Sequence, residues 1–363
     1  MSGRLPRDLH PVAWWAWAIG LAAGASLSTN PVWMVMLVGA ATVVVLARRS
    51  DQPWARSFRL YCLLALVIVV MRVVFRIVFG GGVGDTVLLE LPEIPLPDWV
   101  LGMRLFGDVT LESLLAGLYD GLRLGAIVIC VGAANSLANP KRLLKSVPPA
   151  LYEIGTAMVI AVTMVPQLAD SVRRVRRAQV LRGGASDRVG RLRRILVPVL
   201  EDAFDRSLRL AAGMDTRGYG RSGGATRHQR WVTGGLMLAG LCGICLGSYL
   251  VLDQAGALPA SWGRPLLLGG LVVAVGGIVA AGRRVHRSRY RPDPWRWPEF
   301  SVMLCGLAVA GAAYRITQVS PTIAYPPLTA VPTLDALALV AVGIAALPAV
   351  LAPPPTTGLV VRS

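Results

Sequence analysis

Apolar side chains fall into nine runs, at about 12–28, 32–47, 59–79, 113–135, 150–168, 233–252, 265–282, 299–315 and 334–352. A helix crosses a bilayer with about 20 apolar residues, and most of these runs approach that length. Polar positions gather between the runs instead of alternating along them. The pattern therefore predicts an all-α, polytopic membrane helical bundle. "STNP" (28–31) reads as a tight turn, with Pro31 opening the second helix. The connection at 80–112 starts "GGGVGD" and contains "LPEIPLPDW", which predicts an irregular, proline-constrained loop.

Charge then orients the runs. Arg48, Arg49, Arg56 and Arg59 place the loop after the second run inside the cell. The loop at 80–112 holds Asp85, Glu90, Glu93, Asp98, Asp108 and Glu112 against Arg104 alone, and falls outside. Lys141, Arg142 and Lys145 return the chain to the inside. The 150–168 run has that cluster before it and nine arginines between 173 and 194 after it. If it spanned, one basic cluster would be exported. The expectation is that it does not cross and lies as an apolar helix at the cytoplasmic face. Eight spans remain, with both termini cytoplasmic and the chain in the plasma membrane of a bacterial cell.

Composition agrees. The chain is 54% hydrophobic and 16% charged, where a soluble domain carries about a quarter charged residues. The formal charge is +17, and all but two of the 37 basic residues are arginine. Their place between apolar runs suits anionic lipid better than nucleic acid. No basic patch is interleaved with aromatics to stack bases, so no nucleic-acid partner is expected. Cys62, Cys130, Cys242, Cys245 and Cys305 all fall in apolar segments. "CGIC" (242–245) has no second pair, so core packing is the expected role.

The most informative region is 166–220. On a helix, Leu168, Val172, Val175 and Ala178 share one stripe, with Gln179 and Arg182 at its C-terminal end. A second helix is expected from near Pro198, with Leu200, Ala203, Phe204, Ala211 and Met214 on its apolar face and Asp202, Asp205 and Arg209 facing away. The first ends at Arg182-Gly183, the second at Arg217-Gly218. Either pair alone is an ordinary ending, a cation on the helix dipole followed by a left-handed glycine. Two copies on similar amphipathic helices in the longest cytoplasmic segment suggest two equivalent receptor grooves. A guanidinium at each end could make a fork-like bond to a partner carboxylate.

These residues resemble the transmembrane T component of energy-coupling factor transporters (the CbiQ/EcfT-like family), the vitamin- and metal-uptake branch of ABC transporters. "AQVLRGG" looks like the first coupling helix of that family, with Ala178, Gln179, Arg182 and Gly183 in place. "GMDTRGYG" looks like the second, with Met214, Asp215, Arg217, Gly218 and Tyr219 matching. The family's Ala-Arg-Gly is altered at its alanine, where Leu181 and Thr216 stand. "LHP", "NP" and "NPKRLLKSVPPAL" extend the likeness over roughly 9–252. The resemblance implies a non-catalytic scaffold without a cofactor. It would couple two ABC ATPase subunits to a small substrate-binding membrane subunit for vitamin, cofactor-precursor or metal-ion uptake. Arg182 and Arg217 would contact the ATPases, while Gly183 and Gly218 would let the backbone approach closely.

On this reading the chain divides into a four-span bundle (1–138), a cytoplasmic coupling module (139–230, helices near 166–183 and 198–218), a closing span (231–252) and extra spans (253–363). Other chemistry finds little support. Neither Lys141 nor Lys145 follows a glycine, so a Walker-type phosphate loop is absent. His10, His228 and His286 lie apart and read as solvated surface. The intramembrane charges Arg72, Arg76, Asp120 and Arg123 pair or line a polar path. Arg72 and Asp120 both sit roughly 10 Å from the outer ends of their spans, by helix rise, which predicts an Arg72–Asp120 lock. The rival is a self-sufficient secondary transporter with a site around Arg72, Asp120 and Arg123.

Overall fold

The computed structural model describes residues 7–51, 53–79, 84–92, 94–95, 104–146, 151–181, 188–219, 227–252, 260–283 and 293–355. Its helices are α1 (Pro11–Ser26), α2 (Pro31–Arg48), α3 (Phe58–Val78), α4 (Leu111–Leu137), α5 (Pro140–Lys145), α6 (Tyr152–Leu181), α7 (Arg188–Asp215), α8 (Arg227–Leu252), α9 (Gly263–Gly282), α10 (Trp297–Val319), α11 (Pro321–Ala324), α12 (Ala336–Ala346) and α13 (Pro348–Leu351). The molecule is an all-α polytopic membrane bundle, and a helix lies at each of the eight runs expected to span. The connection at 80–112 is more ordered than its prolines suggest. Val87–Leu89 pairs antiparallel with Val109–Thr110, and Ile94–Pro95 with Arg104–Leu105.

Among the described residues, seven helices are long and apolar enough to cross a membrane. They include Ile154–Leu181, at the lowest hydropathy of the seven, although loop charge leads to the expectation that it stays inside. They leave out α1 and the α12–α13 pair (Ala336–Leu351), each shorter than the others. Length and composition take no account of the arginines on either side of a helix, whereas loop charge does.

The chain forms two units, Met1–Leu143 with Asp293–Ser363, and Leu144–Pro292. This differs from the linear division expected above. The extra spans do not stay together: α9 packs on α8 in one unit, while α10–α13 return to the N-terminal helices in the other.

In the first unit, α1 is the hub. Trp17 and Leu21 on α1, Met34 and Leu37 on α2 and Val302 and Val309 on α10 are fully buried. Helices α1 and α10 touch backbone to backbone at Gly20 and Gly306. A Cβ on Gly20 would lie 2.2 Å from the Gly306 carbonyl oxygen, so no larger residue fits there. Buried polar groups fix the register. Asn30 Oδ1 caps α2 by accepting from Val32 N–H (3.0 Å), while its Nδ2 donates to the Ile323 and Thr333 carbonyls at 2.9 Å each. Ser28 Oγ donates to the Ala324 carbonyl at 2.8 Å. The "STNP" turn is thus also the anchor of the connection between α10 and α12.

The other end of this unit is tied by ions. Glu299, fully buried, pairs with Arg7 and accepts from Arg296 N–H at 3.1 Å, the N3 half of a capping box at the start of α10. Arg142 pairs with Asp293 and donates to the Asp8 carbonyl at 3.0 Å. Arg48 Nε donates to the Ala349 carbonyl at 2.8 Å. His10 is buried, contrary to its expected solvated role. Its Nδ1 caps α1 by accepting from Val12 N–H (3.3 Å), and its ring lies 5.2 Å from that of Trp295. A histidine ahead of Pro11 sits where a first turn needs an acceptor.

In the second unit, α8 and α9 approach closely through glycines, Gly243 against Gly270 among them. Cys242 and Cys245 lie on the exposed face of α8 and do not pack in a core, whereas Cys130 and Cys305 are buried; all five thiols are free.

Candidate functional site

The structure redraws both helices expected in the 166–220 region. Tyr152–Leu181 is one continuous helix, so the 150–168 run and the expected helix near 166–183 are a single element with Pro166 inside it. Helix α7 starts at Arg188, ten residues before Pro198, which lies in its interior. A proline is tolerated inside a helix at the loss of one backbone bond, so it is a weak marker of a start.

Helix α7 ends as its sequence predicts. Gly218 has φ +75°, the left-handed region that favours glycine. Gly218 N–H donates to the Asp215 carbonyl (2.9 Å) and Tyr219 N–H to the Met214 carbonyl (3.1 Å). These two bonds define a Schellman cap. The cap leaves Arg217 and Asp215 exposed at the tip and Met214 half-buried. On α6, Ala178 is exposed and Gln179 half-buried, and Gln179 Nε2 donates to the Arg194 carbonyl at 3.3 Å. Arg182 and Gly183 lie outside the described residues.

The two helices meet over a mixed seam: Val199 of α7 is 4% exposed and Ile195 half-buried on the face that carries Asp202, and polar groups bond beside them. Ser171, 2% exposed, donates to Asp202 Oδ2 at 2.6 Å, and Arg174 Nη2 donates to the same oxygen at 3.1 Å. Arg206 Nε donates to Asp202 Oδ1 at 3.1 Å, and its Nη1 to Gln167 Oε1 at 3.3 Å. Asp202 thus faces α6 and not solvent, contrary to expectation. The Ser171 hydrogen bond, aided by Arg206 and Arg174, holds its carboxyl below the usual value of 3.8. These pairings run antiparallel, 167 with 206, 171 with 202 and 179 with 194. Leu181 therefore lies near one end of the pair, and Arg217 about 25 residues further along α7, roughly 38 Å at helix rise.

Much of the apolar surface of the pair is exposed among the described residues. Phe204 is 64% exposed and Leu208 68%. Leu168, Leu196 and Leu200 are exposed as well. A soluble helix pair would turn most such side chains toward its interior.

The intramembrane charges are arranged differently from the expected lock. Asp120 pairs with Arg76, at 3.4 Å, not with Arg72. Arg72 and Arg76 are one turn apart on the same face of α3, so a small axial offset selects between them. Arg123 donates to the Ser26 carbonyl in the last turn of α1, a cation at the negative end of a helix. Residues 220–224 read G-x-S-x-G, which is the spacing of a nucleophile elbow. An elbow follows a strand, and here helix α7 precedes; the five residues lie outside those described.

The family model described as "Cobalt transport protein" (CbiQ) matches residues 2–228. An energy-coupling factor transporter transmembrane protein EcfT from Bacillus selenitireducens is 29% identical over 179 residues, which is 46% of this chain and 62% of that protein. The EcfT of Streptococcus thermophilus is 28% identical over 173 residues, 45% of this chain and 62% of its own. That of Leuconostoc gelidum is 26% identical over 203 residues, 52% and 70% respectively. The chain thus spans about 62% of the length of the first two relatives it matches. The matched family region ends at 228, so α8–α13 lie beyond it.

Proposed function

Because the chain belongs to the cobalt transport protein (CbiQ) family, we propose that it is the energy-coupling membrane subunit of an energy-coupling factor importer. It binds two ABC ATPase subunits at α6 and α7 and passes their ATP-driven motion to a small substrate-binding membrane subunit. The cargo is a vitamin, a cofactor precursor or a metal ion, chosen by that second subunit. The chain itself is not catalytic. Both termini and the α6–α7 hairpin are cytoplasmic, and α6 does not cross the membrane.

One observation carries this reading: a helix pair that leaves Leu168, Leu200, Phe204 and Leu208 exposed and ends α7 in a capped, solvent-facing Arg217. An exposed apolar stripe with a terminal guanidinium is the chemistry of helix-in-groove docking. The separation of the hairpin ends suits two receptors more than one. Nothing comparable favours the secondary-transporter reading, since Asp120 and Arg123 are both engaged in helix-to-helix bonds.

Co-expression of the chain with its ATPases tests the proposal. The wild type should retain two ATPase subunits through purification. Arg182→Glu with Arg217→Glu should lower the retained ATPase about thirtyfold, the scale of losing one hot-spot contact. Retention of both ATPases by the double variant would end the coupling reading.

A further inference from the structure

Asp202 stands at the centre of the α6–α7 hairpin and is the one carboxylate there with partners on both helices among the described residues. Its Oδ2 accepts from Ser171 and Arg174 of α6 at 2.6 and 3.1 Å, and from Arg206 Nη2 of α7 at 3.0 Å. Its Oδ1 accepts from Arg206 Nε at 3.1 Å, and Arg206 reaches on to Gln167 of α6. Besides the Gln179 bond to the Arg194 carbonyl, side-chain bonds between the two helices gather on Asp202 and its partner Arg206. Val199 is buried one turn from Asp202, but Leu200, Phe204 and Leu208, which could weld the two helices together, are exposed. The other acidic groups of the hairpin are engaged locally. Asp205 pairs with Arg209 (2.7 Å) and Asp170 with Arg173 (3.6 Å), each within its own helix.

We propose that Asp202 is a positioning residue that fixes the register of α6 on α7, so that the end of α6 at Leu181 and the capped Arg217-Gly218 end of α7 are presented at a set separation as one rigid fork. This rests on the proposed coupling function and adds to it a named source of rigidity. A fork of fixed span turns its second docking event into an intramolecular one. A loose hairpin loses that effective concentration without losing any contact at its tips. The carboxylate also suits the task chemically. It has lone pairs for a hydroxyl and two guanidinium groups at once, and its bonds to them are charge-assisted.

Two measurements on the full chain test this. Spin labels at Val180→Cys and Ala212→Cys, in a background with the native cysteines replaced, report the hairpin span by double electron–electron resonance. The wild type should give one narrow distance distribution. Asp202→Asn, nearly the same size but bearing an amide donor toward Arg174 or Arg206, should broaden it about twofold, and Asp202→Glu should recover most of the narrowness. In the complex, Asp202→Asn should weaken binding of the ATPase pair about tenfold, at the low end of a two-site avidity effect. The helix content measured by circular dichroism should stay unchanged. Ser171→Ala serves as the second variant: combined with Asp202→Asn it should add no further broadening. An unchanged distance distribution in Asp202→Asn overturns the proposal, as does equal broadening by Ser171→Ala on the wild-type and variant backgrounds. If wild-type chain binds no ATPase, the coupling reading fails while the distance arm still decides the role of Asp202.

Discussion

The α1–α10 crossing and the α6–α7 hairpin are both helix pairs, yet they are built on opposite plans. The first brings two glycines into backbone contact, surrounds them with fully buried Trp17, Val302 and Val309, and pins its ends with Asn30 and Glu299. The second meets over one carboxylate and leaves Phe204 and Leu208 uncovered. Bilayer hydrocarbon gives apolar helices no hydrophobic reason to associate, so close packing and buried hydrogen bonds must hold the first pair. The second pair is joined by the Asp202 bonds beside Val199, and on the coupling function proposed above its exposed apolar area awaits a partner.

Glu299→Ala should strike the first plan hardest. It leaves Arg7 and the Arg296 N–H without their acceptor at a fully buried position. The expected loss is about 3–5 kcal/mol, the scale of breaking a buried ion pair. The check is the melting temperature and monodispersity of the purified protein in detergent. A variant that melts like the wild type would mean the extra C-terminal helices are not locked by this pair.

Gly306→Val comes next. Its Cβ would lie 2.5 Å from Trp17 Cα, and backbone cannot yield as a flexible side chain does. Overpacking costs about 1–3 kcal/mol, more where nothing can move. Gly311, where a Cβ would meet nothing within 4 Å, provides the control on the same helix. Gly311→Val should change the melting point far less, and equal effects at both positions would remove the crossing as the cause.

The hairpin should respond in the reverse sense. Leu200→Ser with Phe204→Ser touches exposed side chains only, so its effect on stability should stay within about 0.5 kcal/mol per site. The same variant should lose most of its co-purifying ATPase. Stability loss without binding loss would show that these side chains are covered within the chain and would erase the contrast between the two pairs.

Much of this is legible in the sequence, and the exceptions share a cause. A helix lies at each apolar run, and the cap at Gly218 follows from Arg-Gly after an amphipathic stretch. Pairing is what periodicity does not carry. Helices α1, α10 and α12 are apolar on every side, so nothing in their sequences says which face meets which neighbour, or that α10 returns to α1. The partner of Asp120 differs from the expected one by a single turn, because Arg72 and Arg76 share a face. Asp202 reads as solvent-facing because an acidic residue on an amphipathic helix normally belongs there. A helix pair that docks by its apolar faces reverses that rule, and periodicity alone cannot tell which side is turned inward.

Acid gives the finest separation of the two plans. Burial pushes the His10 imidazole below its ordinary 6.5 against the opposing pull of Asp293, with Arg142 lowering it further and Glu299 raising it. The folded state therefore takes up its proton later than the unfolded chain. His10 contributes its full stability above pH 6.5 and loses it as pH falls below that value. Protonation also removes the Nδ1 acceptor that caps Val12 N–H. Asp202 is lowered from 3.8 chiefly by Ser171, so its contribution persists down to that value and fades only below it. Between about pH 7.5 and 5.5, the protection of first-turn amides of α1, taken relative to their intrinsic exchange at each pH, should fall while the label distance across α6–α7 stays fixed; below about pH 4 the hairpin should loosen too. Loosening of the hairpin before the α1 cap would mean that a group other than Asp202 controls its register.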